Sequence, residues 1–182
     1  MFAEAGAKVI VADFNAEKGE AVAADIRANG GEARFVQVDI SKGEQAEAMV
    51  AKTVEHYGRL DVAVNNAALS PDQNLTSEID EDYWDRLMAV DLKGTALTQK
   101  YELRQMIAQG DGGSIINISS VSGFRPQPTN PAYVAAKHGV VGLTKVAAME
   151  NGPHGIRVNS VAPGAVDTLM LQAAIEQFGL DP

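Results

Sequence analysis

Two side chains that could move a proton stand one helical turn apart in this sequence. Tyr133 and Lys137 occupy positions i and i+4 of a predicted helix, a spacing that places both side chains on one face. Ser120 lies upstream, at the end of a predicted apolar strand. If the helix follows that strand, the three polar groups converge at one edge of a sheet. The alternative is an ordinary surface pair of tyrosine and lysine, which is common at this spacing.

A tyrosine phenol is a weak base at neutral pH because its usual pKa is about 10. Lowering that pKa by about two to three units requires about 3–4 kcal/mol of preferential stabilisation of the phenolate. An adjacent ammonium group such as that of Lys137 can supply part of this stabilisation. The hydroxyl of Ser120 can orient the oxygen of a substrate. The three residue types therefore predict general acid–base chemistry at a substrate oxygen.

The elements that must position these side chains follow from the hydrophobic pattern. Short apolar runs rich in β-branched residues alternate with longer segments of helical period, which predicts an α/β fold with a doubly wound parallel sheet. Because the strand sequences are continuously apolar, we expect helices on both faces of the sheet. The predicted strands are Lys8–Asp13, Ala33–Val38, Leu60–Asn65, Ser114–Ser119 and Ile156–Ala162. The predicted helices are Ala16–Asn29, Gly43–Tyr57, Glu81–Ala108, Ala132–Met149 and a shorter one at Leu169–Phe178.

Composition and charge exclude several classes of function. The 182 residues carry 15 Lys and Arg against 24 Asp and Glu, a net charge of −9, which disfavours nucleic acid and anionic membranes as partners. There is no Cys, and the three His residues are not clustered at metal-ligand spacing, so we expect no metal site. Neither a membrane-spanning run nor a signal peptide is found, and the expected location is cytoplasmic.

Several short motifs, taken in order, resemble the short-chain dehydrogenase/reductase family of the Ser…Tyr-x-x-x-Lys type. The resemblance extends from about Gly6 to Thr168, and the motifs are individually weak but strong in combination. They are Asp13 at the end of a strand, Val38-Asp39-Ile40, Asn65-Asn66-Ala67-Ala68, Asn117-Ile118-Ser119-Ser120, Tyr133–Lys137, and the segment from Arg157 to Thr168. The resemblance implies a Rossmann-like fold, and residues 1–182 are expected to form a single, partial dinucleotide-binding and catalytic domain.

The resemblance also implies roles for individual residues. Tyr133 would be the general acid/base, Lys137 would hold the nicotinamide ribose and lower the pKa of Tyr133, and Ser120 would bind the reacting oxygen. A positively charged nicotinamide ring would also help to lower that pKa. The other residues implied to lie along the cofactor are Asp39, Ile40, Asn66, Ala67, Val166 and Thr168.

Asp13 has a physical interpretation of its own. A carboxylate at the end of this strand can accept hydrogen bonds from the ribose hydroxyls of adenosine and would repel a 2′-phosphate. Neither Lys nor Arg flanks it, so NAD is preferred over NADP. The alternative is a turn residue at the strand end. For Asn65, Asn117 and Asn159, a structural role in holding strand ends and turns is favoured.

The sequence also departs from the family pattern. The strand and the Gly-rich loop that precede Asp13 in the family are missing, and the chain stops before the family's last strand, so it resembles a chain truncated at both ends. We expect either a gap or an irregular pairing between the strands at Lys8–Asp13 and Leu60–Asn65. The 182-residue polypeptide alone is expected to be inactive and poorly soluble. Asp91 stands where the family usually has Asn.

The function predicted is an oxidoreductase that transfers a hydride between NAD and a small secondary alcohol or ketone. The full-length protein is expected to be a homo-oligomer. Two alternatives stay open: an inactive fragment or binding remnant, and a reductase of 3-oxoacyl groups on acyl carrier protein. The second would prefer NADPH and basic docking residues, so Asp13 and the net charge of −9 count against it.

Overall fold

The computed structural model describes residues 1–168 and 172, so the predicted helix at Leu169–Phe178 lies, except for Gln172, outside the described residues. The strands are β1 (Lys8–Asp13), β2 (Glu32–Gln37), β3 (Val62–Asn65), β4 (Gly113–Ile118) and β5 (Ile156–Val161). The α-helices are α1 (Ala16–Ala28), α2 (Gly43–Tyr57), α3 (Glu81–Leu87), α4 (Thr95–Gln109) and α5 (Pro131–Asn151). A π-helical segment, Met88–Gly94, joins α3 to α4, and short 3-10 helices lie at Thr76–Glu78, Val121–Gly123 and Gly152–His154.

All described strand pairs are parallel, and they form two sheets. β1 pairs with β2 from Lys8↔Glu32 to Asp13↔Gln37. The second sheet has the order β3-β4-β5, with registers Val62↔Ser114 and Gly113↔Ile156 at its start. In the part of the chain that the structure describes, no ladder joins β1 to β3. The predicted α/β class is confirmed, and the two sheets correspond to the predicted gap.

A glycine ends each of the helices α2 and α4, where the chain turns toward the next strand. Gly58 has φ +80° and Gly110 has φ +79°, the left-handed conformation that glycine adopts without strain. Their N–H groups donate to the carbonyls of Val54 (2.7 Å) and Met106 (3.2 Å). These turns direct the chain into β3 and β4, the strands that carry the candidate site.

The prediction of one continuous helix over Glu81–Ala108 is wrong. The π-helical segment divides this region, and wider turns of this kind are often found at functional sites. Asp91 within the segment is fully buried. Gly94 at its end packs against Ile40, where an added Cβ would lie 2.8 Å from the Ile40 side chain. The segment therefore brings its backbone close to the end of β2 and turns a carboxylate inward.

The sequence predicts helices on both faces of the sheet, and one face of β3 is exposed. Its side chains alternate, with Ala63 buried and Val62 and Val64 exposed by 44% and 43%. The core lies on the other face, where Ala63, Ile115 and Val158 pack with Met106 of α4. No described helix is long and apolar enough to span a membrane.

Candidate active site

The end of β4 and the first two turns of α5 bring Ser120, Tyr133 and Lys137 together. Tyr133 and Lys137 share one helix face, and the Lys137 Nζ lies 5.3 Å from the centroid of the Tyr133 ring. The Ser120 side chain lies close enough to the Tyr133 phenol to lower its pKa, and it accepts a hydrogen bond from the Ser122 N–H (3.1 Å). The geometry therefore places these three residues in one cluster, as the spacing predicted.

Close packing fixes α5 against the strand end. The Ser119 hydroxyl donates to the Lys137 carbonyl (3.0 Å), and the Lys137 ammonium donates to the Ile118 carbonyl (3.3 Å). Gly123 lies so near α5 that an added Cβ would meet the Lys137 carbonyl oxygen at 2.8 Å. These contacts fix the position of α5 relative to Ser120.

The Tyr133 phenol is buried, with only 9% of the residue exposed. Burial raises its pKa above the usual 10.0, the nearby Ser120 side chain lowers it, and the nearby charge of Asp91 raises it further. The net direction in the protein without ligands is upward. Because desolvation disfavours the phenolate, an additional positive charge is needed for the phenol to act as a base at neutral pH.

Asp91 forms a buried ion pair with Lys137. Its Oδ2 lies 3.3 Å from the Lys137 Nζ, and the two side chains are 0% and 3% exposed. Its Oδ1 accepts the backbone N–H of Leu69 (2.8 Å). Burial raises the pKa of Asp91, and the Lys137 ammonium and the Leu69 N–H oppose that rise. The carboxylate therefore joins the lysine to the loop that follows β3.

The sequence analysis missed Asp72, which caps α5 from the same loop. Asp72 is buried, and its two carboxylate oxygens accept the N–H groups of Ala132 and Tyr133, both at 3.0 Å. The Asn130 side chain also donates to the Asp72 carbonyl. A carboxylate at a helix N-terminus satisfies amides that lack intrahelical partners. Asp72 is remote from α5 in the sequence, so a search for local capping residues could not find it.

A buried polar network holds the ends of β3 and β4. The Asn65 side chain donates to Glu102 of α4 (2.9 Å) and to Asn117 (3.0 Å). Asn117, fully buried, donates to Gln99 (2.7 Å) and Thr144 (3.0 Å). Asn65 and Asn117 thus have the structural role that was favoured for them. Glu102 was not singled out from the sequence, and its position inside the network could not be found without the fold.

The acidic candidates for cofactor binding lie at the carboxyl ends of two parallel strands. Asp13 ends β1 and is exposed, and its Oδ1 accepts the N–H of Asn15 (2.7 Å). Its side chain thus has the turn role that was weighed as the alternative, while its other oxygen has no described partner. Asp39 follows β2 and binds the Ser41 N–H (3.0 Å) and hydroxyl (2.6 Å). Both residues lie at the carboxyl ends of strands, where open α/β sheets bind ligands.

The remaining candidates lie on the segments that follow β2, β3 and β5. Ile40 packs against the π-helical segment at Gly94. Asn66 and Ala67 are exposed directly after β3, and Val166 and Thr168 are exposed beyond β5. The structure places these residues on segments that follow strand ends.

A family model described as short chain dehydrogenase matches residues 1–178. Among curated proteins, "Short chain dehydrogenase/reductase astE" of Aspergillus oryzae is 51% identical over 179 residues, which are 98% of this chain and 69% of that protein. The "2,5-dichloro-2,5-cyclohexadiene-1,4-diol dehydrogenase" of Sphingobium indicum is 45% identical over 178 residues, 97% of this chain and 70% of that protein.

A solved structure of NAD⁺-bound xylitol dehydrogenase has a similar fold. It superposes with a TM-score of 0.92 at 30% identity, and the match covers 96% of this chain and 67% of that one. The chain thus spans about 70% of the length of the proteins it is similar to.

Proposed function

The chain belongs to the short chain dehydrogenase family, and on this premise we propose that it is the oxidoreductase core of an enzyme that passes a hydride between NAD and a small secondary alcohol or ketone. The observation that carries the proposal is the buried cluster of Ser120, Tyr133 and Lys137. A phenol, a hydroxyl and an ammonium at this separation fit acid–base work on an alcohol oxygen.

The side chains divide the work in the direction of oxidation. The Ser120 hydroxyl holds the alcohol oxygen, and the Tyr133 phenolate takes the hydroxyl proton while the carbinol carbon loses a hydride. The products are the ketone, the reduced cofactor and the Tyr133 phenol, whose proton is later released. When bound, the nicotinamide supplies the hydride acceptor. Lys137 keeps a positive charge next to the phenol ring, 5.3 Å from its centroid.

The residues at the strand ends fit a nicotinamide dinucleotide. Asp13 is an exposed carboxylate at the carboxyl end of β1, and its neighbours in the sequence are uncharged. A ribose diol would find an acceptor there, whereas the phosphate of NADP would meet a negative charge. Asp39, Ile40, Asn66, Ala67, Val166 and Thr168 are proposed to lie along the cofactor. Among the described residues, no Gly-rich strand-to-helix turn is available for the pyrophosphate.

A cyclic alcohol is the substrate class that we favour. The relative from Sphingobium indicum is named for a ring diol, and the segment that follows Ser120 lines a cleft with largely apolar walls. A saturated or partly unsaturated ring bearing a secondary hydroxyl would present its carbinol carbon to Tyr133 and bury its carbons against those walls.

The test is isotope transfer by the full-length protein. A ring alcohol deuterated at the carbinol carbon is incubated with NAD or with NADP, and the reduced cofactor is analysed by mass spectrometry. We expect deuterium in NADH and a higher kcat/KM with NAD. A higher kcat/KM with NADP would refute the role of Asp13. Absence of deuterated cofactor with a panel of cyclic and acyclic secondary alcohols would refute hydride transfer.

A further inference from the structure

An open cleft of about 540 Å³ begins at Val121, the residue that follows Ser120. One wall is the segment 121–127, and the other is the end of β5. Backbone hydrogen bonds join the walls at the level of Ser120, from the Val121 N–H to the Pro163 carbonyl (3.0 Å) and from the Ser119 N–H to the Val161 carbonyl (2.8 Å). The lining side chains are those of Val121, Phe124, Arg125, Pro126, Gln127 and Ala162.

Four of the six lining residues are apolar, and Arg125 is the charged one. The side-chain carbonyl of Gln127 accepts the Ser122 hydroxyl (3.1 Å), which fixes that amide. The Arg125 backbone is also fixed, because its N–H donates to the Val121 carbonyl (2.9 Å). The guanidinium, in contrast, has no hydrogen bond or ion pair within the described part of the chain.

Four of the six other arginines of this acidic chain have a charged or aromatic partner. Arg27 pairs with Glu20 at 2.6 Å and Arg59 with Asp61 at 2.7 Å. Arg86 and Arg104 lie over the rings of Tyr83 and Tyr101. The sequence has 24 acidic residues, yet none of the described ones pairs with Arg125. The N–H donors of its guanidinium are therefore available to an anion that binds in the cleft.

The chemistry of the guanidinium selects the kind of anion. Its planar fork of N–H groups matches the two oxygens of a carboxylate. The Phe124 ring, 58% exposed, and the side chains of Val121 and Pro126 supply apolar surface on the same cleft. A ligand that satisfies all of these groups has an apolar body with a carboxylate on it.

We propose that Arg125 is a substrate-binding residue, and that the substrates are cyclic hydroxy acids or the corresponding keto acids, whose carboxylate pairs with the guanidinium while the hydroxyl or ketone oxygen lies at Ser120 and Tyr133. This inference rests on the proposed function and narrows its substrate class. It makes Arg125 a determinant of specificity that takes no part in the proton or hydride transfer.

The experiment compares hydroxycyclohexanecarboxylate with the matching carboxamide in the full-length protein with NAD. A charge-assisted hydrogen-bonded pair predicts a kcat/KM higher by about 10- to 100-fold for the carboxylate. In Arg125→Gln this preference should fall to within about threefold. Arg104→Gln, which removes an arginine away from the cleft, should keep the wild-type preference.

The possible results distinguish a failure of the Arg125 proposal from a failure of the proposed function. Equal kcat/KM for the acid and the amide in the wild type would overturn the role of Arg125, and hydride transfer would stand. A preference that survives in Arg125→Gln would overturn it too, as would a weaker Kd for NADH in that variant, which would place the guanidinium on the cofactor. If neither ring compound is oxidised but another secondary alcohol is, the cyclic acid class is wrong. If no alcohol is oxidised, the proposed function itself fails.

Discussion

Asp91 places a negative charge where the proposed acid–base chemistry needs a positive one. Its carboxylate pairs with Lys137 at 3.3 Å, so it partly neutralises the ammonium that lies over the Tyr133 ring. The same charge raises the pKa of Tyr133 and of Tyr83. An uncharged amide at this position could still accept the Leu69 N–H without opposing the phenolate.

Asp91→Asn should therefore move the acidic limb of the pH profile of kcat/KM to lower pH. Lys137 already screens this anion, so its removal is expected to lower the apparent pKa of the acidic limb by about 0.5–1 pH unit. The measurement is the pH dependence of kcat/KM in the full-length protein. Asp85→Asn, the same change at an exposed position of α3, should leave the profile unmoved. An unshifted or raised limb in Asp91→Asn would contradict this electrostatic account.

At the scale of elements, the N-terminus of α5 is held by a residue from another part of the chain. Asp72 accepts the N–H groups of Ala132 and Tyr133, and its loop is held at Leu69 by Asp91 and at Ser70 by the Tyr83 hydroxyl (2.7 Å). The loop after β3 and the helix that carries Tyr133 are thus fixed to each other.

Asp72→Ala should lower the free energy of unfolding by about 1–3 kcal/mol, because two buried amides lose their acceptor. It should also lower kcat, since the first turn of α5 carries Tyr133. Asp80→Ala is the matched control: Asp80 caps α3 by accepting the Tyr83 N–H (3.0 Å), so its loss should cost stability with a smaller effect on kcat. Chemical denaturation and steady-state kinetics measure both quantities. Equal losses of kcat in the two variants would argue against a specific role for the Asp72 cap.

Glu102 makes the junction of α4 and β3 sensitive to pH. Burial raises its pKa from 4.5 to about 7, and the bond from Asn65 opposes this rise. A carboxyl whose pKa is raised by folding favours the folded state below its unfolded pKa, and this contribution is lost as the pH rises through about 7.

Glu102→Gln should remove this loss of stability at high pH, because an amide does not ionise. The glutamine side chain can still accept the hydrogen bond from Asn65. We expect the variant to be more stable than the wild type by about 2–3 kcal/mol near pH 8 and nearly equal to it near pH 5. Thermal and urea unfolding at both pH values measure the difference, with the exposed Glu47→Gln on α2 as the control. A stability difference that does not change with pH would show that Glu102 does not titrate with folding.

The same elements show what local sequence can and cannot predict. The periodicity located β1 and α2 with the bounds that the structure has, and it located the Tyr133–Lys137 face. It placed the start of β3 at Leu60, but both backbone groups of Leu60 bind the Gln109 side chain (2.7 and 2.9 Å), so the strand begins at Val62. The sequence does not reveal the π-helical segment, because its apolar pattern resembles that of a continuous α-helix.

The candidate site was predictable where one element carries it and not where several do. Tyr133 and Lys137 lie on one helix, so helical geometry alone brings them together. Ser120 required the further assumption that its strand end faces that helix. The partners Asp72 and Asp91 come from a loop and a π-helical segment distant in sequence, and their contacts with α5 depend on tertiary packing. The cofactor role of Asp13, Asp39 and the other strand-end residues stays a prediction.

For the whole molecule, the division into two sheets leaves strand edges open. β1 and β3 each pair on one side only in the described residues, and Val62 and Val64 are exposed on β3. Unpaired edges with apolar side chains are templates for association.

We therefore expect the 182-residue polypeptide, purified alone, to aggregate and to lack dehydrogenase activity. Size-exclusion chromatography with light scattering, together with an NADH assay, tests both expectations. A monodisperse and active 182-residue protein would show that the open edges are closed in a way that this account does not include.

Tyr133 is proposed to move the proton in an NAD-dependent hydride transfer. The deciding measurement is kcat together with the Kd of NAD in Tyr133→Phe of the full-length protein, with Tyr101→Phe on α4 as the control. We predict that kcat falls by about 10²- to 10⁴-fold while the Kd of NAD stays within a few-fold, because the phenol acts mainly in the transition state. Wild-type turnover in Tyr133→Phe would contradict the claim.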